Sequence, residues 1–276
     1  MNLRLLLIIF FCLPTLASAG SKIIATGGAT TVEGNAGGGI VPWAVINGYA
    51  SSDEWSVTTF AGRVGVDDFS LNSAGIALSL DNKWELSYAR QRFALESIGG
   101  SLSQDIFSVK YHLAGELLYT AMPQISLGIQ HKRNLDFALP QAVGARSANG
   151  TDFYLAASKL LFNQVAGRNF LLNGTLRASK ANQTGLLGFG SSNDNSYQLL
   201  FEGSAAVLLN YNLALGIEYK QKPDNLAFAA EQHWRDIFIA WFINKNVSVT
   251  GAYVDLGNIA GQGSQTGYYL ALEATW

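Results

Sequence analysis

Basic and amide side chains recur in four short clusters along this 276-residue chain: Arg90-Gln91-Arg92, Lys132-Arg133-Asn134, Lys180 with Asn182 and Gln183, and Lys220-Gln221-Lys222. Guanidinium and ammonium groups only donate, and they take carboxylate or phosphate oxygens through charge-assisted hydrogen bonds. At one common height the clusters form a ring. Turned inward, such a ring is an anion-selective constriction or a docking site for an anionic solute. Turned outward, it holds the phosphates of membrane lipid and lipopolysaccharide. Spacing does not choose between the two, because strand ends twist and loops begin at these positions.

A second set carries both signs: Arg63, Lys83, Glu85, Lys110, Arg177, Glu202, Glu218 and Glu273. Enclosed together, these groups must pair with one another, since a buried charge without a partner is very unfavourable. The expectation is a salt-bridged lumen network, part of which binds a polar solute or the N-terminal segment, whose one acid is Glu33. Enzymatic chemistry finds little to work with. There are three histidines, His112, His131 and His233, no Gly-x-Ser-x-Gly stretch, and no His or Cys pair at metal-ligand spacing. Neither an enzyme, a cofactor nor a metal is expected. An outer-leaflet lipid hydrolase using His131 or His233 is kept as an alternative.

The elements that position these residues follow from hydrophobic periodicity. From Trp55 onward, segments of about ten residues alternate apolar and polar, the period of a strand with lipid on one side and a lumen on the other. Phe107, Val109, Tyr111 and Leu113 share one face; Ile76/Leu78/Leu80, Ile125/Leu127/Ile129 and Leu213/Leu215/Ile217/Tyr219 repeat the pattern. Phe60 to Val66 is weak, and Ile237 to Phe242 is apolar on both faces. The count is about twelve strands. Short connections are expected near 81–82, 114–118, 162–169, 209–212 and 244–246, and long ones near 67–73, 94–102, 132–149, 180–196, 221–233 and 255–265. That alternation suits an all-β fold, a transmembrane antiparallel β-barrel with both ends on the periplasmic side. The last strand carries Tyr268, Leu270, Leu272, Ala274 and Trp276 on one face, the pattern by which barrel-assembly machinery reads a closing strand. Trp84 and Trp276 at one set of strand ends, with Tyr88, Tyr197, Tyr219 and Tyr268 toward the other, fit two interfacial girdles.

Residues 1–19 read as a cleaved signal peptide: Arg4, an apolar run from Leu5 to Leu13, Pro14, and the small-residue site Ala17-Ser18-Ala19. Cys12, the one cysteine, lies inside that run. Charged residues make up 14% of the chain, against about 25% in ordinary soluble proteins. The net charge of −2 argues against a nucleic-acid partner. Residues 55–276 form the barrel. Residues 20–54 do not alternate; they are glycine-rich and then apolar around Pro42 and Trp43. With no Lys-Ser/Thr ending they are not a phosphate-binding loop, and they are expected to fold into the barrel mouth or lumen as a plug; the alternative is a disordered periplasmic tail, since glycine-rich segments lose much entropy on ordering.

The stretch Thr26 to Ala44, TGGATTVEGNAGGGIVPWA, resembles the N-terminal signature of a Gram-negative domain-of-unknown-function family of predicted outer-membrane proteins. Leu86 to Phe93 (LSYARQRF), Gly128 to Asn134 (GIQHKRN), Leu171 to Asn182 (LLNGTLRASKAN) and Gly185 to Gly190 (GLLGFG) are similar to the same family. The resemblance implies an outer-membrane barrel and no particular activity. The expected function is a passive channel or uptake porin for a small solute. The alternatives are a non-transporting envelope scaffold or lipopolysaccharide-binding barrel, and the hydrolase.

Overall fold

The computed structural model describes residues 20–276 apart from 98 and 193; the signal peptide expected over 1–19 lies outside the described residues. Twelve strands close into a single antiparallel barrel. They are β1 (Trp55–Val66), β2 (Phe69–Leu80), β3 (Trp84–Leu95), β4 (Ser101–Ala114), β5 (Gln124–Asn134) and β6 (Asn149–Val165), followed by β7 (Arg168–Ser179), β8 (Gln198–Asn210), β9 (Leu213–Lys220), β10 (Trp234–Phe242), β11 (Val247–Ile259) and β12 (Gln262–Thr275). Each pairs with its sequence neighbour, and β12 closes on β1, with Leu270 opposite Arg63 and Leu272 opposite Ala61. The final residue extends the seam: Trp276 and Val57 exchange backbone hydrogen bonds of 2.9 and 2.8 Å. A closed ladder leaves no unpaired edge, which is the condition for a sheet to stand in hydrocarbon.

Alternation sorts the side chains as the sequence implies. Phe107, Val109 and Leu113 on β4, Ile237, Ile239 and Trp241 on β10, and Tyr268, Leu270 and Leu272 on β12 all point outward and are exposed. The opposite positions are buried and largely polar, including Glu85, Ser87 and Gln91 on β3 and Ser204 and Glu202 on β8. The two segments that alternate poorly do so for a packing reason. In β1 the large residues Phe60 and Val64 turn inward. In β10 Phe238, Ala240 and Phe242 turn inward, and Phe238 lies 6.3 Å from the ring of Trp43.

Three connection lengths differ from expectation. The supposed long loops at 67–73 and 255–265 are two-residue turns, at Asp67–Asp68 and Ala260–Gly261. Both residues of the second turn have positive φ, the conformation whose twist matches a hairpin. Polar residues such as Asn258, Gln262 and Ser264 read as loop, but they remain in the ladder. The connection expected at 114–118 runs from 115 to 123 instead, its carbonyls at Glu116 and Leu118 each taking a 3.1 Å bond from Lys159 Nζ. The loops at the end away from the termini carry a helix (Ala138–Ala142) and a two-strand pairing of Ala145–Ser147 with Phe189–Ser191.

Candidate functional site

The lumen is occupied by the chain's own N-terminal segment. Every residue from 27 to 50 is buried. The segment starts at the end of the barrel that carries the termini, runs up to a turn at Glu33-Gly34, and comes back to the same end, where Lys22 N donates to Tyr49 O at 3.1 Å. Ala29–Thr30 pairs with Ala36–Gly37 to make the excursion a short hairpin. Gly34 has φ +91°, and a Cβ there would stand 3.0 Å from Ala89 on β3, so the turn against the wall needs glycine. At the base, Glu54 Oε2 accepts from Ser21 N at 3.0 Å and Ser51 N at 2.7 Å, joining the two legs. These two backbone donors hold the Glu54 carboxyl down at about 2.

Most polar contacts from the wall go to backbone atoms of this segment. Ser73 Oγ and Gln91 Nε2 donate to Val32 O at 2.7 and 2.6 Å. Ala36 N and Asn47 N donate to Glu85, and Lys110 Nζ donates to the carbonyls of Ala36 and Val45 while pairing with Glu85 at 3.2 Å. Glu218 accepts from Ile40 N at 2.8 Å and from Ser204 Oγ at 2.6 Å, and Ser204 Oγ accepts from Trp43 Nε1 at 2.9 Å. Pro42, which has no N–H to satisfy, gives its carbonyl to Thr175 Oγ1 at 2.8 Å. Thr30 Oγ1 donates to Glu273.

Above the hairpin turn, five consecutive strands each supply one charge, with signs alternating around the wall: Lys132 (β5), Asp152 (β6), Arg177 (β7), Glu202 (β8) and Lys220 (β9). Asp152 Oδ2 lies 2.9 Å from Lys132 Nζ, and Glu202 Oε1 lies 2.6 Å from Arg177 Nε. Glu33 enters this belt from the segment. Its carboxylate meets Lys132 at 2.6 Å, Lys220 at 2.9 Å and Arg177 at 3.5 Å. All six side chains are at most 3% exposed. Gln130 bridges the belt to the hairpin, donating to Asn35 and accepting from Arg177.

The loop after β7 closes the other end. Gln183 and Thr184 both have positive φ, a strained conformation for residues with side chains. The strain sets Thr184 O to receive Lys132 Nζ at 3.1 Å, while Leu186 O receives Asn134 Nδ2 at 2.7 Å. Gln183 N donates to Glu231 at 3.0 Å. Glu231 stands 3.6 Å from Lys222. Burial pushes the Glu231 carboxyl up, to about 7, against the pull of Lys222; burial likewise pushes Lys222 down, to about 8.

The four expected basic clusters do not form one ring. Arg90, Arg92 and Arg133 are exposed on the outer wall, where Arg90 grips Asp105 at 2.7 Å and Arg92 reaches Ser101. Lys180 is half-buried, donating to Asn195. Lys132, Asn134, Asn182, Lys220 and Lys222 are buried on the inside. Neighbouring residues on one strand point to opposite faces, so the clusters on β3 and β5 divide. Of the expected lumen charges, Glu85, Lys110, Arg177, Glu202, Glu218 and Glu273 are buried inside. Arg63 and Lys83 are not. Arg63 shares the outward parity of β1 and meets Asn72 and Glu96, and Lys83 lies exposed beside the turn before β3. Asp152 and Asp236 were not singled out from the sequence, although each directly precedes an outward apolar residue, Phe153 or Ile237, which assigns it to the lumen. Neither Asp236 oxygen has a hydrogen-bond partner among the described residues.

His131 Nδ1 meets the Thr151 hydroxyl at 3.0 Å, His233 Nδ1 accepts from Lys222 N, and both ring nitrogens of His112 face backbone carbonyls. Among the described residues no His, Cys, Asp or Glu group is arranged to hold a metal ion.

A family model described as "Protein of unknown function (DUF3034)" matches residues 26–273. No curated protein matches the chain. Solved structures that resemble it include the KdgM porin, at 11% identity and TM-score 0.48 over 80% of this chain and 99% of that one. The NanC porin aligns at 12% identity and TM-score 0.49 over 79% of this chain and 98% of that one. The COG4313 outer membrane channel from Pseudomonas putida F1 aligns at 11% identity and TM-score 0.43 over 85% and 96%. Identities this low carry nothing about activity.

Proposed function

The chain belongs to the family described as "Protein of unknown function (DUF3034)", and we propose that it is an outer-membrane channel for a small polar solute, plugged by its own residues 20–54. The membrane assignment rests on the outer wall. Exposed Leu, Ile, Phe, Trp and Tyr side chains recur on nearly every strand, far beyond the apolar patches that soluble proteins leave in water. Barrels with an even number of antiparallel strands and both ends on one side are the form that outer membranes accept.

The observation that carries the channel reading is the path of the N-terminal segment. Both of its legs reach the same end of the barrel, so it can leave as a unit without unthreading. The wall it would expose carries serine, threonine, glutamine and charged groups, beside an apolar stretch that includes Phe238, Ala240, Phe242 and Tyr269. Planar-bilayer recording tests the idea. The complete mature chain is expected to be largely closed, and a barrel lacking residues 20–54, shown to be folded by its heat-sensitive gel mobility, is expected to conduct. A folded barrel that stays silent with and without the segment would overturn the reading.

A second reading, a non-conducting barrel that holds lipopolysaccharide, is favoured by the outward guanidinium groups of Arg63, Arg90, Arg92 and Arg133, set on the alternate strands β1, β3 and β5. It predicts binding of phosphorylated lipid that is lost on replacing these arginines, with no conductance in any form.

A further inference from the structure

The alternating belt on β5 to β9 is incomplete without Glu33. The wall itself supplies three cations, Lys132, Arg177 and Lys220, against two anions, Asp152 and Glu202. Glu33 brings the sum to zero, and it is the one member that does not belong to the wall. Its two oxygens are shared among the three cations, Oε1 to Lys132 at 2.6 Å and Oε2 to Lys220 at 2.9 Å and Arg177 at 3.5 Å. Three donors from three strands converging on one carboxylate form a cradle whose position is fixed by the barrel, not by the occupant. A small cavity of about 10 Å³ adjoins it, lined in part by Glu33, Lys132, Arg177 and Lys220.

We propose that Lys132, Arg177 and Lys220 form a carboxylate-binding site of the lumen, and that Glu33 is its built-in occupant. Withdrawing the hairpin leaves three cations against two anions on the wall, a surplus positive charge that attracts another anion. A solute bearing a carboxylate satisfies the same donors. It therefore competes with Glu33 and favours the withdrawn state by the difference in its affinity for the two states. The role of that solute in opening rests on the channel reading above; the cradle's affinity for carboxylate does not.

The test uses the full chain carrying Glu33→Ala, which empties the cradle and leaves its cations in place. The probe is acetate, with acetamide, of the same shape but neutral, as control at matched chloride. The heat-modifiability midpoint of Glu33→Ala should fall below that of the wild type, and acetate, but not acetamide, should restore most of the loss. Wild type, its cradle already filled by Glu33, should gain no stability from acetate. Adding Lys220→Met to Glu33→Ala should abolish the acetate response. If Glu33→Ala does not fold in chloride, the yield of folded protein in acetate against acetamide becomes the readout, and equal yields overturn the proposal. So does a folded Glu33→Ala protein indifferent to acetate. Bilayer recordings on the same proteins separate the two claims. Acetate rescue with silence throughout removes the channel and keeps the site, whereas openings without any acetate effect keep the channel and remove the site.

Discussion

Lys110 and Glu85 face each other across β4 and β3 with both side chains fully buried and 3.2 Å between them. Both also hold backbone atoms of the N-terminal hairpin. A buried pair of this kind contributes less than its geometry suggests, because both charges were removed from water, but breaking it by removing one partner is costly. Lys110→Met is expected to destabilise the folded barrel by about 3–5 kcal/mol, and the double variant with Glu85→Gln by distinctly less. The midpoint of urea unfolding in lipid vesicles checks both. Equal losses in the single and double variants would mean that the two charges do not depend on each other. Single residues also mark where the sequence can and cannot be read. Lys132 and Arg133 are adjacent and equally basic, yet Lys132 is 1% exposed against Glu33 while Arg133 is exposed on the outer wall. The outward odd positions of Leu127 and Ile129 continue to Arg133, so alternation holds to the end of β5, where twist and the start of a loop are expected to break it. What parity cannot supply is the partner: Glu33 lies 99 residues from Lys132 in sequence, and only the path of the segment brings them together.

At the level of elements, the strands were readable because each buries one face, whereas the connections were not. A loop and a polar strand end look alike in sequence, and β11 and β12 continue past the apolar band as a ladder of polar residues to Ala260–Gly261. The inward folding of residues 180–191 was hidden for a different reason. It depends on Glu231, 48 positions away, accepting the backbone N–H of Gln183. That contact predicts a pH response. Because the Glu231 carboxyl is raised on folding, the native state holds its proton more tightly than the unfolded chain does. The associated stabilisation is complete below the ordinary carboxylate value of about 4.3 and is lost as pH rises through about 7. Glu231→Gln mimics the protonated form at every pH. It should match the wild type near pH 4 and melt higher than the wild type near pH 7.5. A difference that grows toward low pH would show that the ionised carboxylate, not the acid, holds the two loops together.

For the molecule as a whole, the decisive question is which solvent the outer wall meets, since the lumen's polarity and the hairpin's docking have a purpose only if the wall stands in lipid. Ile237, near the middle of β10, is 57% exposed and flanked on β9 by Ile217, also exposed, directly opposite it in register. In water, an exposed isoleucine is replaced by arginine at little cost, and replacement removes apolar surface from contact with solvent. At the bilayer midplane, the same change costs about 2–4 kcal/mol, falling toward 0–1 near the interface. Ile237→Arg should therefore destabilise the barrel in lipid vesicles by an amount in the first range. A new arginine replacing Ser103, beside Arg92 and Arg133 at the outer end of the strands, should do far less. Both are measured by reversible unfolding in vesicles at matched lipid composition. Equal, small effects at the two depths would place the apolar wall in water and remove the membrane from which every functional reading of this lumen proceeds.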